Sequence, residues 1–273
     1  MVLAGSKGMA GAAILCGAGA FRAGAGLVRI CIEESQFSAI HGGLPEATCV
    51  ARFTDMGGPD KYTAAVIGPG LGVDEKNGLL IKEILRNFQG TAVLDADGLN
   101  LLAMDESLIA KTGGRLILTP HPGEAGRLLS CSAKEINRDR TGSALRLAEK
   151  YGATAVLKGA QTVVATPCGE TYINTTGNPG MATGGSGDVL AGIISALAGQ
   201  GLRPLQAAAA GVYIHGLAGD MAAEKTGEYG LLASDIAGHT GPAIKAILTE
   251  AKKIEEDGFP CPSRKEGVRG PGW

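Results

Sequence analysis

One stretch of the sequence sets a residue able to move a proton beside residues able to hold an anion. It runs from Asn174, Thr175, Thr176 and Asn178 through the turn Gly184-Gly185-Ser186-Gly187 to a single acid, Asp188, and then to Gly192. The apolar run that follows, Val189 to Ala198, reads as a buried helix. The first N–H groups of a helix have no partner inside it, and its dipole is positive at that end. Glycines without side chains let an anion approach those groups closely. An acid at such a turn repels phosphate, so it makes a poor ligand for it. It makes sense as a base that takes a proton from a hydroxyl facing the phosphate. The plainer account is a helix cap, since Ser and Asp commonly precede helices. The long polar and glycine-rich approach favours the base.

Four further loops carry polar signatures. Gly68-Pro69-Gly70-Leu71-Gly72 allows close backbone approach to a ligand, although a plain strand-to-helix turn needs none. Asp95, Asp97 and Asn100 could orient a water on a metal or cap the next helix, and the cap is favoured. His121 and Glu124 open a helix after a proline-flanked turn, where Glu124 either opposes the helix dipole or holds magnesium through water beside a phosphate. Lys158-Gly159-Ala160-Gln161-Thr162 places a cation and a glycine where nucleotide phosphate or ribose could sit; a surface lysine at a turn is the alternative. His215, inside the apolar segment Ala207 to Ala218, reads as a satisfied core histidine.

The elements that must position these loops alternate. Leu27 to Ile32, Ala64 to Ile67, Ala92 to Leu94, Arg115 to Leu118 and Ala155 to Leu157 read as short apolar strands. Helical spacing covers 9–24, 77–88 and 137–151, and later 186–200, 205–223 and 233–248. Thr162 to Ala165 and Thr171 to Asn174 flank Pro167-Cys168-Gly169-Glu170 and suggest a hairpin. Strand–helix alternation predicts a mainly parallel sheet with helices on both faces and an antiparallel margin. In such sheets the ligand crevice lies at the carboxyl ends of the strands, where all the loops above fall. The reading is one α/β domain over 1–250 with a first strand that starts short, followed by a loose tail over 251–273.

Composition narrows the function. The chain has 273 residues, 45 % of them hydrophobic, so a sizeable core is available. Net charge is −2 and aromatics are 4 %, which argues against nucleic acid as a partner. The 44 glycines follow no period and mark turns and close helix packing. Six cysteines, at 16, 31, 49, 131, 168 and 261, form no C-x-x-C pair, and reduced cytoplasmic thiols account for them. No signal peptide or membrane span is expected. A P-loop and a G-x-S-x-G elbow are both missing from the sequence, and Gly17-x-Gly19 lies inside a predicted helix, so it is a poor dinucleotide fingerprint.

Taken together, Ala4-Gly5-Ser6, Met9 to Ala13, Leu44-Pro45-Glu46, Ile67 to Gly72, Leu94 to Asp97, Leu118 to Glu124, Leu157-Lys158-Gly159 and Thr176 to Asp188 form a specific set. On these residues the chain resembles the bacterial ADP-dependent NAD(P)HX dehydratases of the ribokinase-like superfamily, from Ala4 to about Ile247. The resemblance implies a three-layer ribokinase-like fold. It implies that ADP phosphorylates the ring hydroxyl of (S)-NADHX or (S)-NADPHX and that phosphate is then eliminated, giving NADH or NADPH with AMP. By position, Asp188 is the base and touches the hydrate, and Gly184 to Gly187, Gly185 and Gly187 included, form the anion hole. Ala12, Gly70 and His121 line the hydrate pocket. Lys158, Gly159, Ala160, Gln161 and Thr162, with Gly187, hold the adenine nucleotide, and Glu124 sits near Mg2+. A homotetramer and natural fusion to an NAD(P)HX epimerase domain are implied as well, while the expected cytoplasmic location comes from the lack of a signal peptide or span. The rival readings are a ribokinase-like kinase of a small alcohol, which stops at the phosphate ester, and a nucleotide-binding fragment without catalysis.

Overall fold

Short runs of β-branched and aliphatic residues build the centre of the molecule. The structure is a computed structural model that describes residues 1–53, 61–109 and 115–256. Nine strands among these residues form a single sheet: β1 (Val2–Leu3), β2 (Arg29–Ile32), β3 (Thr48–Ala51), β4 (Ala64–Ile67), β5 (Thr91–Leu94), β6 (Leu116–Leu118), β7 (Thr154–Leu157), β8 (Val163–Ala165) and β9 (Thr171–Ile173). Their order is β3-β2-β1-β4-β5-β6-β7-β8-β9. The first seven strands are parallel, whereas β8 and β9 close one margin antiparallel. The two residues of β1 pair on both sides, Val2 with Ile30 and Val66, Leu3 with Cys31 and Ile67.

Because side chains alternate along a strand, each strand feeds two cores. Val2, Ile30, Val66, Val93, Ile117 and Val156 face one side. Leu3, Cys31, Ile67, Leu94, Leu118 and Leu157 face the other. Burial on both faces explains why the strands are continuously apolar rather than alternating. The first core is covered by α1 (Ala10–Arg22), α2 (Phe37–Gly43), α8 (Ser186–Gly199), α9 (Pro204–Thr226) and α10 (Ala233–Glu256). The second is covered by α3 (Glu75–Asn87), α4 (Asp97–Met104), α5 (Pro122–Leu129), α6 (Ala133–Arg138) and α7 (Arg140–Tyr151).

Three elements differ from the sequence reading. The helix expected over 137–151 is broken at Asp139, whose Oδ1 accepts the Gly142 N–H at 2.8 Å and caps α7. Ser132 and Glu135 cap α6 reciprocally, so two short helices replace one. Strand β2 begins at Arg29 because Leu27 points to solvent, 91 % exposed. Where a loose tail is expected from 251, α10 runs on to Glu256, and 257–273 lie outside the described residues. The five described cysteines, at 16, 31, 49, 131 and 168, are free thiols. Among the described residues no helix is long and apolar enough to cross a membrane.

Helices α1 and α8 lie backbone against backbone. A Cβ on Gly192 would meet Cys16 O at 2.0 Å, and one on Gly19 would meet Val189 O at 2.4 Å. This contact fixes where α8 starts, and with it the Gly184–Asp188 turn. Gly11, also in α1, faces open space. Gly192→Ala is therefore expected to lower stability by about 1–3 kcal/mol through overpacking. Gly11→Ala is expected to raise it by about 0.5–1 kcal/mol, as alanine does in an exposed helix. Urea unfolding of both variants checks the pair, and equal effects would contradict the packing.

Candidate active site

The carboxyl ends of β5, β6 and β7 bring three charged groups to one point. Asp95 follows β5 and is 1 % exposed. Lys158 follows β7, and its Nζ donates to Asp95 Oδ1 at 2.6 Å. Glu124, in the first turn of α5 after β6, lies with Oε2 4.0 Å from the same Nζ. Burial alone would draw the Lys158 ammonium down, but the Asp95 and Glu124 carboxylates outweigh it and hold its pKa above the ordinary lysine value.

The first turn of α8 closes over this cluster. Lys158 Nζ lies 3.2 Å from the point a Cβ on Gly187 would occupy, and Asp95 Oδ2 lies 3.9 Å from it. A side chain at 187 would therefore displace the ammonium. Gly185 ends the turn in the left-handed region, φ 89°, with no room for a side chain against Leu15. Val189 is the residue whose N–H reaches back to Gly185 O, at 3.1 Å. The Ser186 N–H donates to Thr183 O at 3.3 Å, so the N–H groups of Gly187 and Asp188 are the donors that the helix start leaves for a ligand. Burial, then the Asp95 carboxylate, push the Asp188 carboxyl up to about 7, with Lys158 opposing them. A base poised near neutrality suits general-base work.

Behind the turn, His215 of α9 donates from Nε2 to Ser186 O at 2.9 Å, with Ser186 Oγ at 3.3 Å. Burial draws this imidazole down to about 4, so it is neutral. It is the satisfied core histidine expected from the sequence, and it anchors the start of α8. The polar approach is tied to α9 as well. Thr176 Oγ1 donates to Tyr213 O at 2.9 Å, and Asp220 accepts from Gly177 N at 2.8 Å and from Asn178 Nδ2 at 2.9 Å.

The other expected residues fall in three groups. Ala12 and Gly70 meet: a Cβ on Gly70 would lie 3.1 Å from Ala12 Cβ. Ala12 is on α1 three residues before Leu15, the residue against Gly185, so the pair borders the same turn. His121 caps α5. Its Nδ1 accepts the Gly123 N–H at 3.0 Å, while Glu124 Oε2 accepts the His121 N–H at 2.8 Å. Glu124 is thus half of a capping box, which makes concrete the dipole reading of that residue. Gly159, Ala160 and Gln161 are exposed beyond Lys158, and Thr162 Oγ1 closes their turn on Gly159 O at 2.9 Å.

Asp95, Asp97 and Asn100 do not cap α4, whose N-cap is Ala96 without a side-chain bond. Asp95 is the partner of Lys158. Asp97 Oδ2 accepts from Gly72 N at 2.9 Å and ties the two loops together, and Asn100 links Asp97 to Arg127. Ala96 between the two acids has φ 47°, ψ −116°, a strained backbone of the kind that accompanies functional sites.

Two arginines escaped sequence reasoning. Arg52 donates to Gly5 O, and to Leu71 O at 3.1 Å, bracing the loop of Gly70. Arg140 donates to Leu157 O at 2.9 Å, and its guanidinium lies 3.0 Å from the Cβ position of Gly159. Neither has a local signal. Asp220 had one: an acid inside a helix of alanines and glycines.

A family profile described as NAD(P)H-hydrate dehydratase matches residues 1–240. The chain belongs to that family. It is 42 % identical over 272 residues to the bifunctional NAD(P)H-hydrate repair enzyme of Moorella thermoacetica, covering 95 % of this chain and 51 % of that protein. It thus spans about half the length of that relative. It is 40 % identical over 246 residues to the ADP-dependent (S)-NAD(P)H-hydrate dehydratase of Neisseria meningitidis, covering 86 % of this chain and 81 % of that one. Among solved structures, the ADP/ATP-dependent NAD(P)H-hydrate dehydratase of Bacillus subtilis, crystallised with ATP and Mg2+, superposes with a TM-score of 0.78 at 31 % identity, covering 90 % and 88 % of the two chains. The family's ribokinase-like, three-layer fold is the one expected from the sequence.

The raised pKa of Asp188 has a consequence for stability. The folded protein holds that proton more tightly than the unfolded chain, so ionising the carboxyl subtracts stability as pH climbs from about 4 to about 7. Asp188→Asn removes the penalty. The variant is expected to melt above the wild type at about pH 8, and the gain is expected to fade towards about pH 4. Equal melting temperatures at both ends would mean that the carboxyl is not desolvated.

Proposed function

We propose that the chain catalyses ADP-dependent dehydration of (S)-NADHX and (S)-NADPHX, the activity named for its relatives. The observation that carries this reading is the acid of raised pKa placed directly on the N-terminal turn of α8, over a buried ammonium. Asp188 takes the proton of the ring hydroxyl, and the hydroxyl oxygen bonds to the β-phosphorus of ADP. The bond from that phosphorus to the bridging oxygen breaks, and its electron pair leaves on AMP. In the second step the carbon–oxygen bond to the ring breaks with its pair on phosphate. A proton passes from the neighbouring ring carbon to water, and the ring double bond returns. The turn Gly184 to Gly187 supplies backbone donors to the phosphoryl oxygens in both steps. Ala12, Gly70 and His121 bound the hydrate, and Gly159 to Thr162 bound the nucleotide.

Magnesium belongs to the proposal as well. Among the described residues no group of three or more His, Cys, Asp or Glu side chains could hold a metal ion. Mg2+ on a nucleotide needs only one or two carboxylates besides phosphates and water. Glu124 fits that demand: Oε2 accepts the His121 N–H and lies 4.0 Å from the Lys158 ammonium, and Oε1 faces only His121 Nε2 at 3.4 Å, which leaves acceptor sites for a hydrated ion. The ion supplies charge neutralisation on the phosphates. The homotetramer is proposed from the resemblance, and the cytoplasmic location from cysteines read as reduced thiols.

Two outcomes test the reading. With NADHX as substrate, ADP is expected to support faster recovery of NADH absorbance than ATP; equal or better turnover with ATP removes the ADP assignment. Accumulation of a phosphate ester without NADH would instead indicate a kinase. Asp188→Asn keeps the shape and abolishes proton acceptance, so turnover is expected to fall by about 10²–10⁴-fold. ADP binding measured by calorimetry should survive, since the donors are backbone groups. The cap of α8 is Gly185, and Asp188 makes no capping bond, so retained turnover would reduce Asp188 to a first-turn acid that merely opposes the helix dipole.

A further inference from the structure

The residues carried over as a nucleotide-binding loop divide at Lys158. Its backbone belongs to that loop, but its side chain does not follow it. Gly159, at φ 145°, turns the chain outward immediately after Lys158, and Gly159, Ala160 and Gln161 are exposed. Arg140 pins this turn from below through Leu157 O. The Lys158 side chain runs the other way, beneath the first turn of α8, to Asp95 Oδ1 at 2.6 Å. Its ammonium sits 3.2 Å from the missing side chain of Gly187, within the group that faces the transferred phosphoryl.

We infer that Lys158 is a catalytic residue that neutralises the phosphoryl group during transfer, that Gly159 to Thr162 alone hold the nucleoside half of ADP, and that Asp95 is the positioning residue that aims the ammonium. This rests on the dehydratase reading above. A cation placed where charge builds on the equatorial oxygens stabilises the transition state more than the ground state, which raises kcat rather than affinity. An ammonium suits the task as a compact point charge on a flexible stem. The stem gives reach, and the buried Asp95 carboxylate, itself 1 % exposed, restricts where the ammonium rests. Gly187 completes the arrangement, because a Cβ there would press on the ammonium from 3.2 Å.

The test compares the full-length wild type with Lys158→Met, Asp95→Asn and the double variant, using ADP and NADHX. Calorimetry gives Kd for ADP, and NADH absorbance gives kcat and KM. Lys158→Met is expected to lower kcat by about 10²–10³-fold, the scale for losing one such donor, with Kd and KM for ADP near the wild-type values. Asp95→Asn is expected to lower kcat to a smaller extent, again without a change in Kd. Lys158→Met leaves Asp95 buried without its partner, so the single variant is prone to misfold. The double variant removes both charges and is expected to fold by circular dichroism and still turn over slowly. A rise in Kd and KM for ADP with kcat preserved would make Lys158 a nucleotide anchor and overturn the inference. Recovery of kcat in the double variant would overturn it too, as a structural role. A wild type that binds ADP but never yields NADH overturns the dehydratase reading itself, and this inference with it.

Discussion

A single buried ammonium balances the carboxylates at the centre of this molecule. Lys158 is held by Asp95 at 2.6 Å and approached by Glu124 at 4.0 Å, and it also opposes the charge on Asp188. Losing one member of a buried pair costs about 3–5 kcal/mol, because the other is left charged and unpaired. The constraint therefore acts on the fold as well as on the chemistry. Strands β5, β6 and β7 must end in register, so that groups far apart in the chain arrive within one hydrogen bond of each other. Helix α8 must start over them with a residue that has no side chain.

The second of these demands explains the glycines between α1 and α8. Helix α8 can start at that point only because α1 lies hard against it, with Gly19 and Gly192 letting the two backbones touch. His215 then ties the Ser186 carbonyl to α9. Close packing thus sets the position of the turn, and hydrogen bonding sets its orientation. The sheet itself is ordinary by comparison. Its strands need only be apolar on both faces.

The parts that could be read from the sequence were those encoded locally. Strand ends, glycine turns and the hairpin have short-range signatures, and the polar approach to Asp188 stands next to the residues it serves. The pairing of Lys158 with Asp95 spans 63 residues and leaves no trace in spacing. The same holds for Arg52 with Gly5, 47 residues apart, and for Arg140 with Leu157, 17 apart. Asp95 was noticed, but as a cap or a ligand of metal water, since its true partner is visible only after folding. Asp139 shows a different kind of miss. Its side chain outcompeted the helical pattern around it by capping the following turn, a choice open to any Asp within a helical sequence. The charged residues from 251 to 256 read as the start of a tail, whereas α10 continues through them to Glu256.

Burial keeps the histidine beside the turn neutral, and the charge balance of the site is consistent with that state. A nucleoside diphosphate brings further negative charge to a site that already holds Asp95, Glu124 and Asp188. That charge disfavours ionised Asp188 and pushes its pKa above the value near 7 that burial and Asp95 already impose. A cation must counter this, or the base is lost when substrate binds. A protonated His215 would do so, but it would also pull Asp188 down permanently and weaken it as a base. Burial holds His215 near pKa 4, and Lys158 adds to that effect, so the imidazole contributes only a hydrogen bond. On the proposed reading the compensating charge is left to Lys158, whose ammonium Asp95 holds at 2.6 Å beneath the first turn of α8.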